Sequence, residues 1–203
     1  MRSLRECILA AADAIEAARD ELGRLDAAAG DGDHGVTMSL AARAVRRALE
    51  DSPDAAPADL LMKVAMAMGS VGGASGPVYA TGVMAVAGVV RGGGASPLEC
   101  AEAAEEAITK LGGAKPGDKT ILDALHPAVE ALRAGGDLRA AARAAREGAE
   151  STAQMVATVG RASRLGERSR GVADPGATSL AIILEALVHA AAAGDDQQLA
   201  RDE

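Results

Sequence analysis

The sequence predicts an all-α protein, folded as a barrel-like bundle of eight antiparallel helices. Apolar residues recur at the three- and four-residue spacing of a helix, and no segment alternates convincingly at the two-residue spacing of a strand. Glycine, proline and N-cap residues divide the chain into helix-length segments with short links, as in an up-and-down bundle. No linker or internal repeat interrupts residues 1–203, so we expect a single domain.

The first four helices are predicted at residues 4–22, 35–49, 58–68 and 77–90. We expect Gly23 to end the first helix and Ser52-Pro53 to stop the second. Pro77 suits the first turn of the fourth helix, where its missing N–H costs nothing. The first helix carries an apolar stripe at Leu4, Ile8, Ala11, Ala12, Ile15, Ala18 and Leu22.

The last four helices are predicted at residues 96–112, 119–133, 137–159 and 176–193. Ser96 as N-cap and Glu99 three residues later predict a capping box at the start of the fifth helix. Pro127 predicts a kink inside the sixth helix. Asp137 is the expected N-cap of the seventh helix.

Residues 64–90 lack charged side chains, and this run is long enough to span a bilayer. The glycine-rich stretch 69–76 divides it into two pieces that are each too short to span. We therefore expect two buried helices and no membrane association. The charged N-terminus also lacks the apolar run of a signal peptide, which favours a cytoplasmic protein.

Composition excludes two further classes of function. The formal net charge is −8, and the chain has one Tyr and neither Phe nor Trp. It therefore offers neither the basic surface nor the stacking rings typical of nucleic-acid binding. Cys7 and Cys100 lie far apart, which argues against a disulfide scaffold or a zinc site.

Three aspartates lie within eight residues: Asp26, Asp31 and Asp33. Carboxylates this close repel one another unless a cation lies between them, and Mg²⁺ and Ca²⁺ prefer oxygen ligands. The neighbouring glycines allow the tight turns that would bring the three side chains together. The alternative is an ordinary turn in which Asp33 caps a helix. An EF-hand is excluded, because its twelfth position falls on Ala42.

Four glycine-containing loops fall at one end of the predicted bundle: 30–37, 72–76, 112–120 and 161–176. They follow helices one, three, five and seven, and alternate connections of an up-and-down bundle share an end. Glycine loops that enter helices bind phosphate through free backbone N–H groups. Neither a Walker motif nor a Rossmann fingerprint occurs, yet the four loops together predict a nucleotide and Mg²⁺ at this end.

Five motifs occur in the same order as in one known family. The motifs are L-D-x4-D-G-D-H-G from Leu25, S-V-G-G-A-S-G-P from Ser70, K-P-G-D-K-T from Lys115, G-R-A-S-R-L-G-E-R-S from Gly160 and D-P-G-A-T-S from Asp174. With their spacing, they are similar to the nucleotide-binding L subunit of bacterial dihydroxyacetone kinase. The resemblance covers almost the whole chain.

The resemblance implies a site in which Asp26, Asp31 and Asp33 hold Mg²⁺, as two ions that bridge the phosphates of ADP or ATP. The nucleotide-binding residues that it implies are His34, Gly35, Val36, Thr37, Ala74, Ser75, Gly112, Ile121, Arg161, Asp174, Pro175 and Gly176. Thr37 stands where many relatives have Asn, and Ile121 where they often have Met. No protein nucleophile is evident, so the catalytic residues stay unassigned.

The implied function is phosphoryl transfer to dihydroxyacetone, or a similar small ketose, held by a separate K subunit. The phosphate would come from ATP, or from a phosphocarrier protein of the phosphoenolpyruvate system that rephosphorylates bound ADP; a separate L subunit favours the second. We expect a homodimer or a heterocomplex. The alternatives are an ATP-dependent kinase subunit for a four-carbon ketose or a carrier-held fatty acid, and a nucleotide-binding regulatory adaptor.

Overall fold

The computed structural model describes residues 3–199 of the chain, and over these residues it contains helices but no strand. The prediction of an all-α fold is therefore confirmed. The α-helices of this part of the chain are α1 (Leu4–Ala17), α2 (Arg19–Ala29), α3 (His34–Glu50), α4 (Pro57–Gly69), α5 (Ser75–Gly92), α6 (Pro97–Gly112), α7 (Leu122–Arg133), α8 (Leu138–Ser151) and α9 (Pro175–Leu199).

Eight of these helices contact one another in a closed ring. The ring runs from α1 to α3 and then through α4, α5, α6, α7 and α8 to α9, which packs back against α1. The remaining helix, α2, lies against α3 and also contacts α9. The eight-membered ring has the order of contacts that a barrel of helices requires.

The first predicted helix is wrong at its C-terminal end. The helix breaks at Ala18, and α2 then continues through Gly23 to Ala29. The close packing of α2 on α3 depends on Gly35, because a Cβ atom there would clash with the Arg19 carbonyl oxygen and lie 2.8 Å from the Gly23 nitrogen. Asp26 consequently lies on a helix, which fixes its position more rigidly than a loop would.

The seventh predicted helix is also wrong at its C-terminal end, because α8 stops at Ser151 instead of reaching residue 159. Thr152 Oγ1 donates to the Ala149 carbonyl and accepts a hydrogen bond of 2.7 Å from the Asp174 N–H, which draws the chain toward α9. Two short 3₁₀ segments follow, Thr152–Gln154 and Ala162–Ser169, and Gly166 is non-helical within the second. Residues 152–174 therefore form a long connection.

The interior of the ring is built from aliphatic side chains, as the composition predicts. It encloses a cavity of about 410 Å³ between the helices, with Ile8, Val64, Val83, Leu125 and Leu184 among the lining residues. Chains with Phe and Trp fill such volume with large rings, and this chain has neither.

The helix α9 is long and apolar enough over Pro175–Ala193 to cross a membrane. This is weak evidence, because core helices of soluble proteins have the same length and composition. In the ring, α9 packs against α1, α7 and α8. That packing buries 33% of this segment, and Ile183, Leu187 and Val188 also line the cavity.

Candidate functional site

The three aspartates come together as predicted. Asp26 lies in the last turn of α2, and Asp31 and Asp33 lie in the connection to α3. One carboxylate oxygen from each lies within 4.8 Å of the other two, and Asp31 and Asp33 are exposed. A side chain at Gly30 would clash with Asp26 Oδ1 and would displace this carboxylate from its position. An all-oxygen set with this spacing fits Mg²⁺.

Arg161 approaches the acidic cluster from the long connection between α8 and α9. Its guanidinium forms an ion pair with Asp31, and Nη1 lies 3.9 Å from Asp33 Oδ2. The cluster therefore has a positive partner from a residue 130 positions away in sequence. The pair is half-exposed, so its contribution to stability is small. The ion pair instead matters for position, because it holds the Arg161 guanidinium beside the acidic cluster.

His34 joins the start of three helices. It is the first residue of α3. Its Nδ1 lies 3.0 Å from Oγ of Ser75, the first residue of α5. Its Nε2 lies 2.9 Å from Oγ of Ser179, near the start of α9. Burial lowers the pKa of His34, opposed by the charge of Asp26 and a hydrogen bond with Pro175. Both ring nitrogens thus have protein partners, and the ring is oriented inward.

The convergence of helix starts gives this end of the ring a positive field. A helix N-terminus presents unpaired N–H groups and the positive end of its dipole, and both attract phosphate. Three such ends meet at His34, beside three carboxylates that attract a cation. The combination suits a phosphate–metal complex better than either ion alone.

Ser179 and Tyr79 extend the buried polar chain from His34. The Tyr79 hydroxyl lies 2.7 Å from Ser179 Oγ and donates to the Gly176 carbonyl at 3.3 Å. Burial raises the pKa of Tyr79, so its hydroxyl stays protonated. Sequence reasoning assigned no role to either residue, since they lie 100 positions apart and no spacing rule links them.

The glycine loop before α5 lies against the first turn of α3. A Cβ atom on Gly73 would lie 3.7 Å from Thr37 Cγ2, so Thr37 lies against the loop that leads to Ala74 and Ser75. The Val36 side chain instead lines a shallow groove with residues of α2. If Val36 contacts a nucleotide, its backbone is the group in position to do so.

Asp174 forms the buried cap of α9. Its Oδ2 accepts a hydrogen bond of 2.7 Å from the Ala177 N–H, and burial raises its pKa to about 6. A Cβ atom on Gly176 would lie 3.1 Å from that oxygen and 3.9 Å from Ile121 Cβ. Residues Asp174, Pro175 and Gly176 are thus adjacent to Ile121. Gly112 is exposed at the end of α6, with nothing within 4 Å of a Cβ built there.

Two buried charged residues that sequence reasoning did not assign to the site lie close together in sequence: Lys119 in the connection from α6 to α7, and Asp123 in the first turn of α7. Asp123 accepts hydrogen bonds from the Gly117 and Thr120 N–H groups, which fixes the turn before α7. Lys119 donates to carbonyls of the long connection. Charged residues are rarely buried unless they have partners. Only the fold shows that Lys119 and Asp123 are buried and that both have hydrogen-bond partners.

Comparison with known proteins decides the family. The sequence model of the DAK2 domain matches residues 28–189. The chain belongs to the DAK2 domain family. It is 39% identical over 190 residues to the PEP-dependent dihydroxyacetone kinase 2, ADP-binding subunit DhaL, of Listeria innocua, covering 86% of this chain and 87% of that protein. It is 42% identical over 180 residues to L-erythrulose 1-kinase of Mycolicibacterium smegmatis, covering 82% of this chain but 32% of that protein.

The DAK2 fold is also shown by solved structures. Dihydroxyacetone kinase of C. freundii, in complex with AMP-PNP and Mg²⁺, superposes with a TM-score of 0.76 at 29% identity, over 92% of this chain and 33% of that one. The chain thus spans about a third of the length of the first relatives it matches. The relatives named here are kinases or kinase subunits, in agreement with the predicted enzyme class.

Proposed function

We propose that this DAK2 domain binds an adenine nucleotide with Mg²⁺ and transfers a phosphoryl group to dihydroxyacetone, or a similar small ketose, held by a separate K subunit. The observation that carries the proposal is the cluster of Asp26, Asp31 and Asp33 beside three converging helix starts. Two relatives add support, since one is named as an ADP-binding subunit and one was solved with AMP-PNP and Mg²⁺.

The residues present fit the chemistry of phosphoryl transfer, which depends on positioning and charge neutralisation more than on a protein nucleophile. Mg²⁺ held by the three aspartates would neutralise phosphate oxygens. The starts of α3, α5 and α9 supply backbone N–H groups, and Arg161 adds a guanidinium at the same edge. Ile121 and the adjacent Asp174–Gly176 turn would form another wall of the nucleotide pocket.

We propose further that ADP stays bound as a cofactor and is rephosphorylated by a phosphocarrier protein of the phosphoenolpyruvate system. The support comes from relatives of similar length. The Listeria protein is named PEP-dependent, and so is the ADP-binding subunit of Escherichia coli. The Escherichia coli protein is 37% identical to this chain, and the match covers 91% of its length. A second candidate is an ATP-dependent kinase for a four-carbon ketose, favoured by the 42% identity to L-erythrulose 1-kinase.

Nucleotide binding by the purified chain tests the site. We expect Mg²⁺–ADP to bind, and Asp31→Ala to weaken the affinity by about a hundredfold, since a charge-assisted contact contributes about 2–3 kcal/mol. Asp54→Ala is the matched control, because Asp54 is an exposed aspartate in the connection between α3 and α4. Unchanged ADP affinity in Asp31→Ala, measured by calorimetry, would falsify the metal assignment.

The phosphate source and the acceptor are tested with a K subunit added. The cofactor role predicts slow exchange of labelled ADP and product formation only when the phosphocarrier proteins and phosphoenolpyruvate are supplied. Rapid turnover of ATP without them would instead support the second candidate. Parallel assays with dihydroxyacetone and erythrulose then identify the acceptor, and no product with either would reject both.

A further inference from the structure

Lys119 combines two uncommon features in the connection between α6 and α7. Its side chain is buried, with 3% of the residue exposed, and its backbone φ is +63°. Side chains larger than glycine rarely adopt this left-handed conformation, and charged groups are rarely buried. Both costs persist in a fold only where the surrounding contacts hold the residue in place.

The contacts of Lys119 are three backbone carbonyls from one distant stretch of chain. Nζ donates to Ser169 at 2.6 Å, to Val172 at 2.7 Å and to Met155 at 3.3 Å. An ammonium group has three N–H donors, so all of them can be satisfied here. Met155 precedes residues 156–168, and Ser169 and Val172 follow them. Lys119 therefore binds both ends of a loop, which we call the arginine loop (residues 155–169).

The base of the arginine loop is closed by further hydrogen bonds around Lys119. The Gly171 N–H donates to the Ala153 carbonyl at 2.8 Å, and the Ala157 N–H donates to Ser169 Oγ at 3.0 Å. Beyond this base, the loop contacts α2, and Arg161 forms its ion pair with Asp31. The position of Arg161 at the acidic cluster thus depends on how the base is held.

We propose that Lys119 is a positioning residue: by binding the carbonyls at both ends of the arginine loop, it holds Arg161 over the acidic cluster. The consequence for nucleotide binding rests on the proposed function, whereas the anchoring of the loop does not. The hydrogen bonds of the Lys119 ammonium go to backbone carbonyls at the two ends of the arginine loop, and not to Asp26, Asp31 or Asp33. It acts on the site through the backbone of the arginine loop.

Trypsin tests the anchoring, because the arginine loop carries its own cleavage sites at Arg161, Arg164 and Arg168. In Lys119→Met the stem is kept and the donors are lost. We expect cleavage in the loop, followed by mass spectrometry under native conditions, to accelerate at least about tenfold, since opening then costs fewer charged hydrogen bonds. Lys63→Met, at an exposed lysine on α4 outside the glycine loops, should be cleaved in the arginine loop at the wild-type rate.

Two further variants separate anchoring from general loss of stability. Lys119→Gly removes the ammonium and also the strain of a positive φ, so it replaces Lys119→Met if that chain does not fold. Val129→Ala weakens the core away from the loop and should leave cleavage at Arg161 slow well below its melting temperature. Equal cleavage of Lys119→Met and wild type, or equal acceleration in Val129→Ala, overturns the proposal.

Mg²⁺–ADP affinity supplies the readout that links the loop to the site. We expect about tenfold weaker binding in Lys119→Met and wild-type affinity in Lys63→Met. A loop that opens without any loss of affinity would overturn the positioning role. If the wild-type chain binds no nucleotide, the proposed function fails, and the cleavage rates still decide whether Lys119 anchors the loop.

Discussion

At the scale of single residues, buried polar groups connect segments that are distant in sequence. His34 is hydrogen-bonded to Ser75 and Ser179, and Asp174 caps α9 while its own N–H binds Thr152. Each of these contacts fixes one site segment relative to another. A change at one such residue should therefore affect both stability and ligand binding.

Replacing His34 by Ala should lower the free energy of unfolding by about 2–4 kcal/mol, because it leaves the buried hydroxyl of Ser179 and the half-buried hydroxyl of Ser75 without their imidazole partner. His189→Ala, at an exposed position on α9, should change it by less than about 0.5 kcal/mol. Urea denaturation of both variants measures this difference. Equal effects would show that the His34 hydrogen bonds contribute nothing net.

Replacing Asp174 by Asn should alter the pH dependence of stability. The pKa of Asp174 is raised from 3.8 to about 6, mainly by burial. The contribution of Asp174 to the free energy of unfolding is therefore most favourable below about pH 4, where the carboxyl group is protonated. It is lost as pH rises through 6, because ionising this group costs more in the folded state than in the unfolded state. Relative to Asp174→Asn, the wild type should lose about 2–3 kcal/mol across that interval. Denaturation curves of both proteins at pH 4, 5, 6 and 7 measure this change. If the carboxyl group stays ionised throughout, the difference in free energy of unfolding between the wild type and Asp174→Asn will be the same at every pH.

At the scale of elements, most of the helices could be predicted because their signals are local. The capping boxes of Ser3 and Ser96 and the N-cap of Asp137 are formed by residues three positions apart, so the sequence contains both partners. The failures came at the C-terminal ends of the first and seventh predicted helices, where contacts with distant segments decide how far the helix runs. Gly23 resembled a helix stop, yet it lies inside α2, at the point where α2 meets α3.

The close approach of α2 and α3 makes a specific prediction for Gly35→Ala. The added methyl group would clash with the Arg19 carbonyl and push the helices apart, which should cost about 2–3 kcal/mol and weaken Mg²⁺ binding by displacing Asp26. Gly88→Ala is the control, because a Cβ there meets nothing within 4 Å inside α5. It should stabilise the protein by about 0.5–1 kcal/mol. Thermal unfolding measures both effects: the melting temperature should fall in Gly35→Ala and rise in Gly88→Ala.

At the scale of the whole molecule, the ring brings together segments from residue 26 to residue 179. Ring closure by α9 against α1 places the start of α9 beside the start of α3. The site is therefore complete only when the ring is closed. Ligand binding should consequently stabilise the entire domain and not merely one loop.

Saturating Mg²⁺–ADP should raise the melting temperature of the wild-type chain. At a ligand concentration a hundredfold above the dissociation constant, binding should raise the free energy of unfolding by about 2.7 kcal/mol. For a chain of this length, that corresponds to a rise in melting temperature of about 5–10 °C. Chelation of Mg²⁺ should abolish the shift, and Asp31→Ala should show little of it. A calorimetric scan in which ADP shifts the melting temperature equally with and without Mg²⁺ would contradict a metal-dependent site.

The all-helical fold, the absence of aromatic packing, the aspartate cluster and the four glycine loops were all determined by the sequence alone, because each depends on residues within a few positions of one another. The tertiary structure alone decided the contacts between distant segments. It joined His34 to Ser179, Arg161 to Asp31 and Lys119 to Ser169. Such pairs follow from ring closure and from the burial of polar groups that need partners, and no periodicity or spacing in the chain encodes them.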